Sequence, residues 1–254
     1  MIRRHGMGKN PGSDPLEVVE ELRLEYKHNP NPKLLRRAVS VARDNVNHYN
    51  TADDRHSSLL SALCMLERLR WERSRDRKAL NSSVEYGRAA IEASRPGDPN
   101  LVRHMSSLAT ALQDVFDDTS DLAPIDEAIG LYRGCLDILS LDDAEYAAQQ
   151  SNLANSLLRR TRRAPDRDLF DEAVTLARAA VRDTPFDDPA HAVRLLNLGA
   201  MLMILGSETQ SRKLADEAVK LFKRTIQTTP PSHPAHANAT TGLVQAQMLQ
   251  TILR

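Results

Sequence analysis

One spacing constrains this chain more than any motif in it: similar segments recur every 45 residues. DEAIGLYRGCL at 126–136 is followed by DEAVTLARAAV at 171–181 and DEAVKLFKRTI at 216–226. The same step links Val39, Val84, Ile129, Val174 and Val219, and then Val46, Ile91, Leu136, Val181 and Ile226. One basic position persists as Arg43, Arg88, Arg133, Arg178 and Lys223. A second segment keeps phase through Leu63, Leu108, Leu153, Leu198 and Leu243, followed at once by Cys64, Ala109, Ala154, Gly199 and Val244. A period of this length marks supersecondary units that are too small to be stable alone and bury their apolar faces by stacking.

Each unit reads as a helical hairpin. The segments are separated by TADDRH, PGDPNL, LDDAEY, FDDPAH and PSHPAH, whose Asp, Ser, Pro and Gly residues end one helix and start the next. Asp188 before Pro189 has the form of an N-cap followed by proline at the first helical position, and Asp14-Pro15 with Glu17 repeats it. Val18 and Leu22 lie 45 residues before Leu63 and Glu67, so the N-terminal region joins the register. The pattern predicts helices near 15–28, 33–48, 54–73, 78–93, 99–116, 123–138, 144–160, 168–183, 189–205, 213–228 and 234–252. Aromatics make up only 4% of the chain while Ala and Leu abound, which suits closely packed helices better than strands. The expected fold is all-α: a flexible tail over 1–13, then a single right-handed superhelix (α-solenoid) of stacked antiparallel hairpins over 14–254, with about five and a half repeats.

Composition excludes several functions. The 34 basic and 34 acidic side chains cancel, so the chain is no polybasic nucleic-acid binder. Two cysteines, Cys64 and Cys135, are too few for a disulfide framework or a thiolate zinc site and point to a reduced, cytoplasmic setting. No apolar core follows the basic N-terminus and no uninterrupted apolar run approaches a membrane span, so no membrane association is expected. The pairs Asp171-Glu172 and Asp216-Glu217 resemble catalytic carboxylates, yet neighbours on a helix point about 100° apart and these recur with the unit. They are assigned to the helix starts. His233 and His236, with His191 and His56 in the column of His236, lack the Cys or Glu that would complete a metal site. No catalytic residue, metal or cofactor is expected.

The units resemble tetratricopeptide (TPR) repeats. Leu198-Gly199 with Leu202 matches the first half of that signature; Ala218, Phe222 and Pro230 match the second, as do Ala128, Tyr132 and Cys135, and Ala173, Ala177, Ala180 and Pro185. The unit is longer than the family's usual one, and long units of this kind are similar to repeat arrays of actinobacterial signalling proteins. The resemblance implies a protein-interaction scaffold or sensor module that is not an enzyme and binds a peptide or partner protein on the face formed by the first helix of each hairpin. Carried over by motif position, Asn155 falls where peptide-binding members hold a backbone-gripping asparagine, and Arg159 on a nearby basic position.

The candidate groove comprises Gln149, Asn152, Asn155, Arg159, Arg194, Asn197 and Met203. Ala200 and Thr110 stand in adjoining units where the carboxylate-clamp subfamily has polar residues, so recognition of a free C-terminus is not implied. A second candidate is an interface for a homodimer or a neighbouring domain on the last helix, through Leu243, Val244, Met248, Leu249 and Ile252, an apolar edge with no following helix to cover it. Two alternatives stay open: an enzyme or small-molecule receptor with its site inside the superhelix, and a self-assembling structural module.

Overall fold

Side-chain caps punctuate the period. Asp14, Asn31, Asp53, Asp76, Asp121, Asp166 and Asp188 each accept a backbone N–H from the first turn of the helix that follows, and Pro15, Pro32, Pro189 and Pro234 open helices with φ preset. The computed structural model describes residues 14–49 and 53–253; the tail expected over 1–13 lies outside them. Among the described residues there are eleven helices and no strand: α1 (Pro15–His28), α2 (Pro32–Val46), α3 (Asp54–Ser74), α4 (Arg77–Glu92), α5 (Leu101–Thr119), α6 (Leu122–Ile138), α7 (Tyr146–Arg163), α8 (Arg167–Arg182), α9 (Pro189–Glu208), α10 (Arg212–Thr228) and α11 (Pro234–Ile252).

The chain divides into two compact units, one ending at Thr119 and the other beginning at Ser120. In the first, α1 to α5 pack in sequence and α3 also lies against α1 and α5. In the second, α6 to α11 pack in sequence while α7, α9 and α11 touch in series. Each unit is therefore a stack of helical hairpins whose first helices form a continuous layer. The core of the first unit is built on Val19, Leu22, Leu35, Leu59, Leu63 and Leu66. That of the second centres on Leu198, Met201, Leu202 and Phe222, with Ala154, Ala177, Ala218, Ala239 and Ala246 admitting close helix approach.

α5, α7 and α9 run to 119, 163 and 208, beyond the ends at 116, 160 and 205 read from the apolar pattern. Their extra residues are polar apart from Gly206 and so invisible to apolar periodicity, and Thr119 and Thr209 tie their hydroxyls back to Val115 O and Leu205 O. The exits recur as well: Arg75, Ser120 and Gln210, on one 45-residue register, all adopt left-handed backbone with φ of 55°, 60° and 52°. The fourth member of the column is Pro165, whose ring forbids positive φ, and α7 leaves instead through Ala164 in an extended conformation. A non-glycine residue in that region is strained by about 1–2 kcal/mol, partly offset in a substitution by the unfolded-state entropy of glycine. Gln210→Gly is accordingly expected to stabilise the chain by about 0.5–1 kcal/mol in chemical denaturation. A loss of stability would show that the Gln210 side chain, which donates to Ser207 O, outweighs the strain.

The repeated carboxylates join neighbouring helices of the second unit rather than start helices. α8 is capped by Asp166, and Asp171 and Glu172 sit in its second turn. Arg133 on α6 donates to Glu172 at 2.8 Å, and one repeat on Arg178 of α8 donates to Glu217 of α10 at 2.8 Å. Asp126 accepts from Arg160 on α7 at 3.3 Å, and Asp216 accepts from Gln250 on α11 at 2.6 Å. The matching partner of Asp171 would be Leu205, which cannot donate, and Asp171 takes Arg167 of its own helix at 3.0 Å. These exposed pairs contribute about 0–1 kcal/mol each.

Candidate functional site

On α7, Asn152, Asn155 and Arg159 follow each other at spacings of three and four residues and share one face. α9 lies beside α7 and brings Asn197 and Met203, at a spacing of six residues. All five are half-buried. Among the described residues neither Asn155 nor Asn197 makes a side-chain hydrogen bond within the chain, whereas Asn152 Nδ2 approaches Gln149 Oε1 at 3.5 Å. A free primary amide offers donor and acceptor together, the pairing that an extended backbone requires.

Two candidates stand apart from this set. Gln149 is buried within the stack. Arg194 is buried too, and its guanidinium donates to Thr184 Oγ1 at the turn before α9; burial holds its pKa below the usual arginine value, against the pull of Asp188. Two repeats earlier the same registers hold His104 and Ser94, joined at 2.9 Å. In both places the hydroxyl donates to a carbonyl one turn back, of Ala180 or Ala90, which leaves its lone pairs for the incoming nitrogen. Burial lowers the His104 pKa, opposed by Asp98.

Apart from Met203, the sequence reading missed the apolar half of the α9 face. Val193 is exposed, and Leu196, Met203 and Ile204 are half-buried beside the two asparagines. The available signal was α9 itself, the one helix among the described residues long and apolar enough to cross a membrane. Its inward side is accounted for by Leu195, Leu198, Met201, Leu202 and Leu205 in the core, and the surplus lies on the opposite face.

On α11, Leu243 packs into the core cluster and Leu249 is half-buried, so the five candidate residues do not form one apolar edge. Val244, Met248 and Ile252 are exposed in a stripe of step four. The registers through which α9 buries Leu195, Gly199, Leu202 and Gly206 hold Thr240, Val244, Gln247 and Thr251 on α11, all exposed and mostly polar.

Burial pushes the Cys64 and Cys135 thiols up to about 12, which disfavours the thiolate form that nucleophilic chemistry needs. No cluster of three or more His, Cys, Asp or Glu residues among the described residues is arranged to hold a metal ion. The histidine column has a structural use. Nδ1 of His56, His191 and His236 lies 2.9, 3.1 and 3.0 Å from the carbonyl oxygens of Val46, Thr184 and Thr229, tying each first helix to the end of the helix before it.

Hairpin stacks with a layer of first helices define the class: the chain is an all-α, TPR-like helical solenoid. No family model and no curated protein matches it. Solved structures do match, 62 chains in all. One is described as a kinesin light chain of Podosopora anserina with nearly identical TPR-like repeats; it is 15% identical with a TM-score of 0.58, over 84% of this chain and 99% of that one. YrrB, a TPR protein with an unusual peptide-binding site, is 14% identical at a TM-score of 0.50, over 90% and 92% of the two chains. The assembly chaperone of RpL4 (Acl4) is 16% identical at 0.50, over 93% of this chain and 86% of that one. Similarity at this level establishes the fold.

Proposed function

We propose that this chain is a non-catalytic protein-interaction module that takes an extended peptide or partner segment along α7 and α9. The observation that carries the reading is the pair of uncommitted amides, Asn155 and Asn197, beside the exposed and half-exposed apolar residues Val193, Leu196 and Met203. Asparagine holds the backbone of an extended ligand while the apolar strip accepts its alternate side chains. The peptide-binding site of YrrB and the chaperone role of Acl4 support this choice of partner class. In this account the hairpins are 45-residue repeats of a cytoplasmic protein, similar to those in the arms of larger signalling proteins. The Val244, Met248 and Ile252 stripe is its place for a homodimer or a neighbouring domain.

The test is selection of a displayed peptide library on the purified chain. Asn155→Ala and Asn197→Ala are each expected to weaken the selected peptides about tenfold, or about 1.4 kcal/mol, with helical circular dichroism unchanged. Asp171→Ala/Glu172→Ala, on the outer helix, leaves binding intact. The reverse pattern contradicts the assignment of faces.

A further inference from the structure

In the first unit, Asp98 in the turn before α5 and His104 on α5 are buried together, both side chains 0% exposed, with Asp98 Oδ2 3.8 Å from His104 Nδ1. Ser94, at the exit of α4, holds the ring: its Oγ lies 2.9 Å from Nδ1 and donates its own proton to Ala90 O. Nδ1 therefore carries the proton of the neutral ring, and Nε2 is the lone-pair nitrogen. That Nε2 is buried and has no hydrogen-bond partner among the described residues. Protonation would turn it into a charged donor without an acceptor, a heavier penalty than an idle lone pair.

The 45-residue register shows what this position holds elsewhere. Leu59, Gln149, Arg194 and Ala239 stand in the column of His104, and all are buried. In the second unit Thr184, Asp188 and Arg194 reproduce the set of Ser94, Asp98 and His104, but with a permanent cation. His104 is the member of the column whose charge changes between about pH 5 and 8. The charges around it are Asp98 of the turn, Asp54 of α3 and Arg103 of its own helix, and the exit of α4 contributes the Ser94 hydroxyl. Arg95 of the turn is held by Asp54 at 2.5 Å, and Ser57 of α3 donates to Asp98 at 3.3 Å. Burial is the strongest influence on the ring and lowers its pKa; Asp98 and Asp54 pull the other way, and Arg103 adds to the lowering. The opened chain thus binds the proton more readily than the closed one. The stability that His104 contributes is complete above about pH 6.5 and is lost progressively as the pH falls toward the lowered folded value.

We propose that His104 is an acid-sensitive catch on the first unit: protonation of its ring releases α5 and the turn before it from α3 and α4. The groove on α7 and α9 contains no part of this catch. Backbone hydrogen exchange of the full chain, corrected for the intrinsic rate, is measured at about pH 7.5 and about pH 5.5. The amides of α5 are expected to lose protection about tenfold or more at the lower pH. In His104→Gln, which places in this column the residue that α7 buries as Gln149, the loss should shrink to less than about twofold. Asp98→Asn keeps an acceptor for Asn100 N but removes the charge that favours the protonated ring, so the acid loss should become steeper. A ring that only filled space would give neither result. NMR titration of the His104 ring in the unaltered chain should give a midpoint below that of an exposed histidine, a reading that needs no variant to fold. Unchanged α5 protection between the two pH values, an acid loss in His104→Gln as large as in the unaltered chain, a shallower loss in Asp98→Asn, or a ring midpoint at or above the ordinary histidine value overturns the proposal.

Discussion

Replacing Arg43 and Arg70 together by alanine is expected to destabilise the first unit by about 3–5 kcal/mol, the cost of leaving a buried charge without partners. The charge is Glu67. Its register is otherwise Leu22, Leu112, Leu157 and Leu202, all buried, ending in the exposed Gln247 on the last helix, and Glu67 is itself fully buried like the leucines. Arg43 reaches it from α2 at 2.5 Å and Arg70 from one turn along α3 at 2.7 Å, each guanidinium remaining partly in solvent. Adding Glu67→Leu to the double alanine variant restores the apolar column and should recover most of the loss. Glu67→Leu alone is expected to be neutral or stabilising by about 1–4 kcal/mol, as when other buried ion pairs are replaced by packed apolar groups. Urea denaturation of the four proteins measures all of this. A loss below about 1 kcal/mol for the double alanine variant, the sum expected of two surface pairs, would mean that Glu67 does not depend on them.

The second large effect is expected in the other unit, where Phe222 lies between two glycines. A Cβ at Gly242 on α11 would sit 2.7 Å from the ring, and one at Gly199 on α9 would sit 3.0 Å from it. Gly242→Val therefore forces the ring or the helix to move and should cost about 1–3 kcal/mol. Phe222→Ala removes a side chain 1% exposed and should cost about 3–5 kcal/mol. Combined, they should cost at least about 1 kcal/mol less than the sum, because the valine occupies part of the space the ring vacates. Strict additivity would show that the contact is not shared. The first unit reaches the same fill with the sizes exchanged: Gly87 stands in the Phe222 register, and a Cβ there would meet Leu108 at 3.0 Å and Cys64 at 3.1 Å.

These two places show how far the period reaches. A 45-residue echo fixes which residues share a column, so the hairpins, their order and nearly all helix starts can be read from it. It does not say which neighbour a column faces. Glu67 breaks a leucine column, and only the position of Arg43 on the preceding helix explains how it is tolerated. The DEA segments look like helix starts in sequence, but Glu172 and Glu217 answer an arginine 39 residues earlier, a distance set by the packing of hairpins. Arg194 resembles a groove residue by spacing; a threonine hydroxyl ten residues before it decides otherwise. The histidine column was legible as a helix-start feature, and the carbonyl that each Nδ1 holds was not. At the groove itself the polar residues were visible as types, whereas the apolar strip on α9 emerges only once the inward leucines are subtracted.

The central claim is that partners are held by the first helices of the hairpins. A photo-crosslinking amino acid placed at Ala200 on α9, half-buried beside the asparagines, or at Thr175, exposed on α8, tests it directly in the cells that express the gene. Ala200 should yield a discrete crosslinked partner that disappears with Asn155→Ala, and Thr175 should yield none. A discrete partner captured from Thr175 and not from Ala200 would contradict the account.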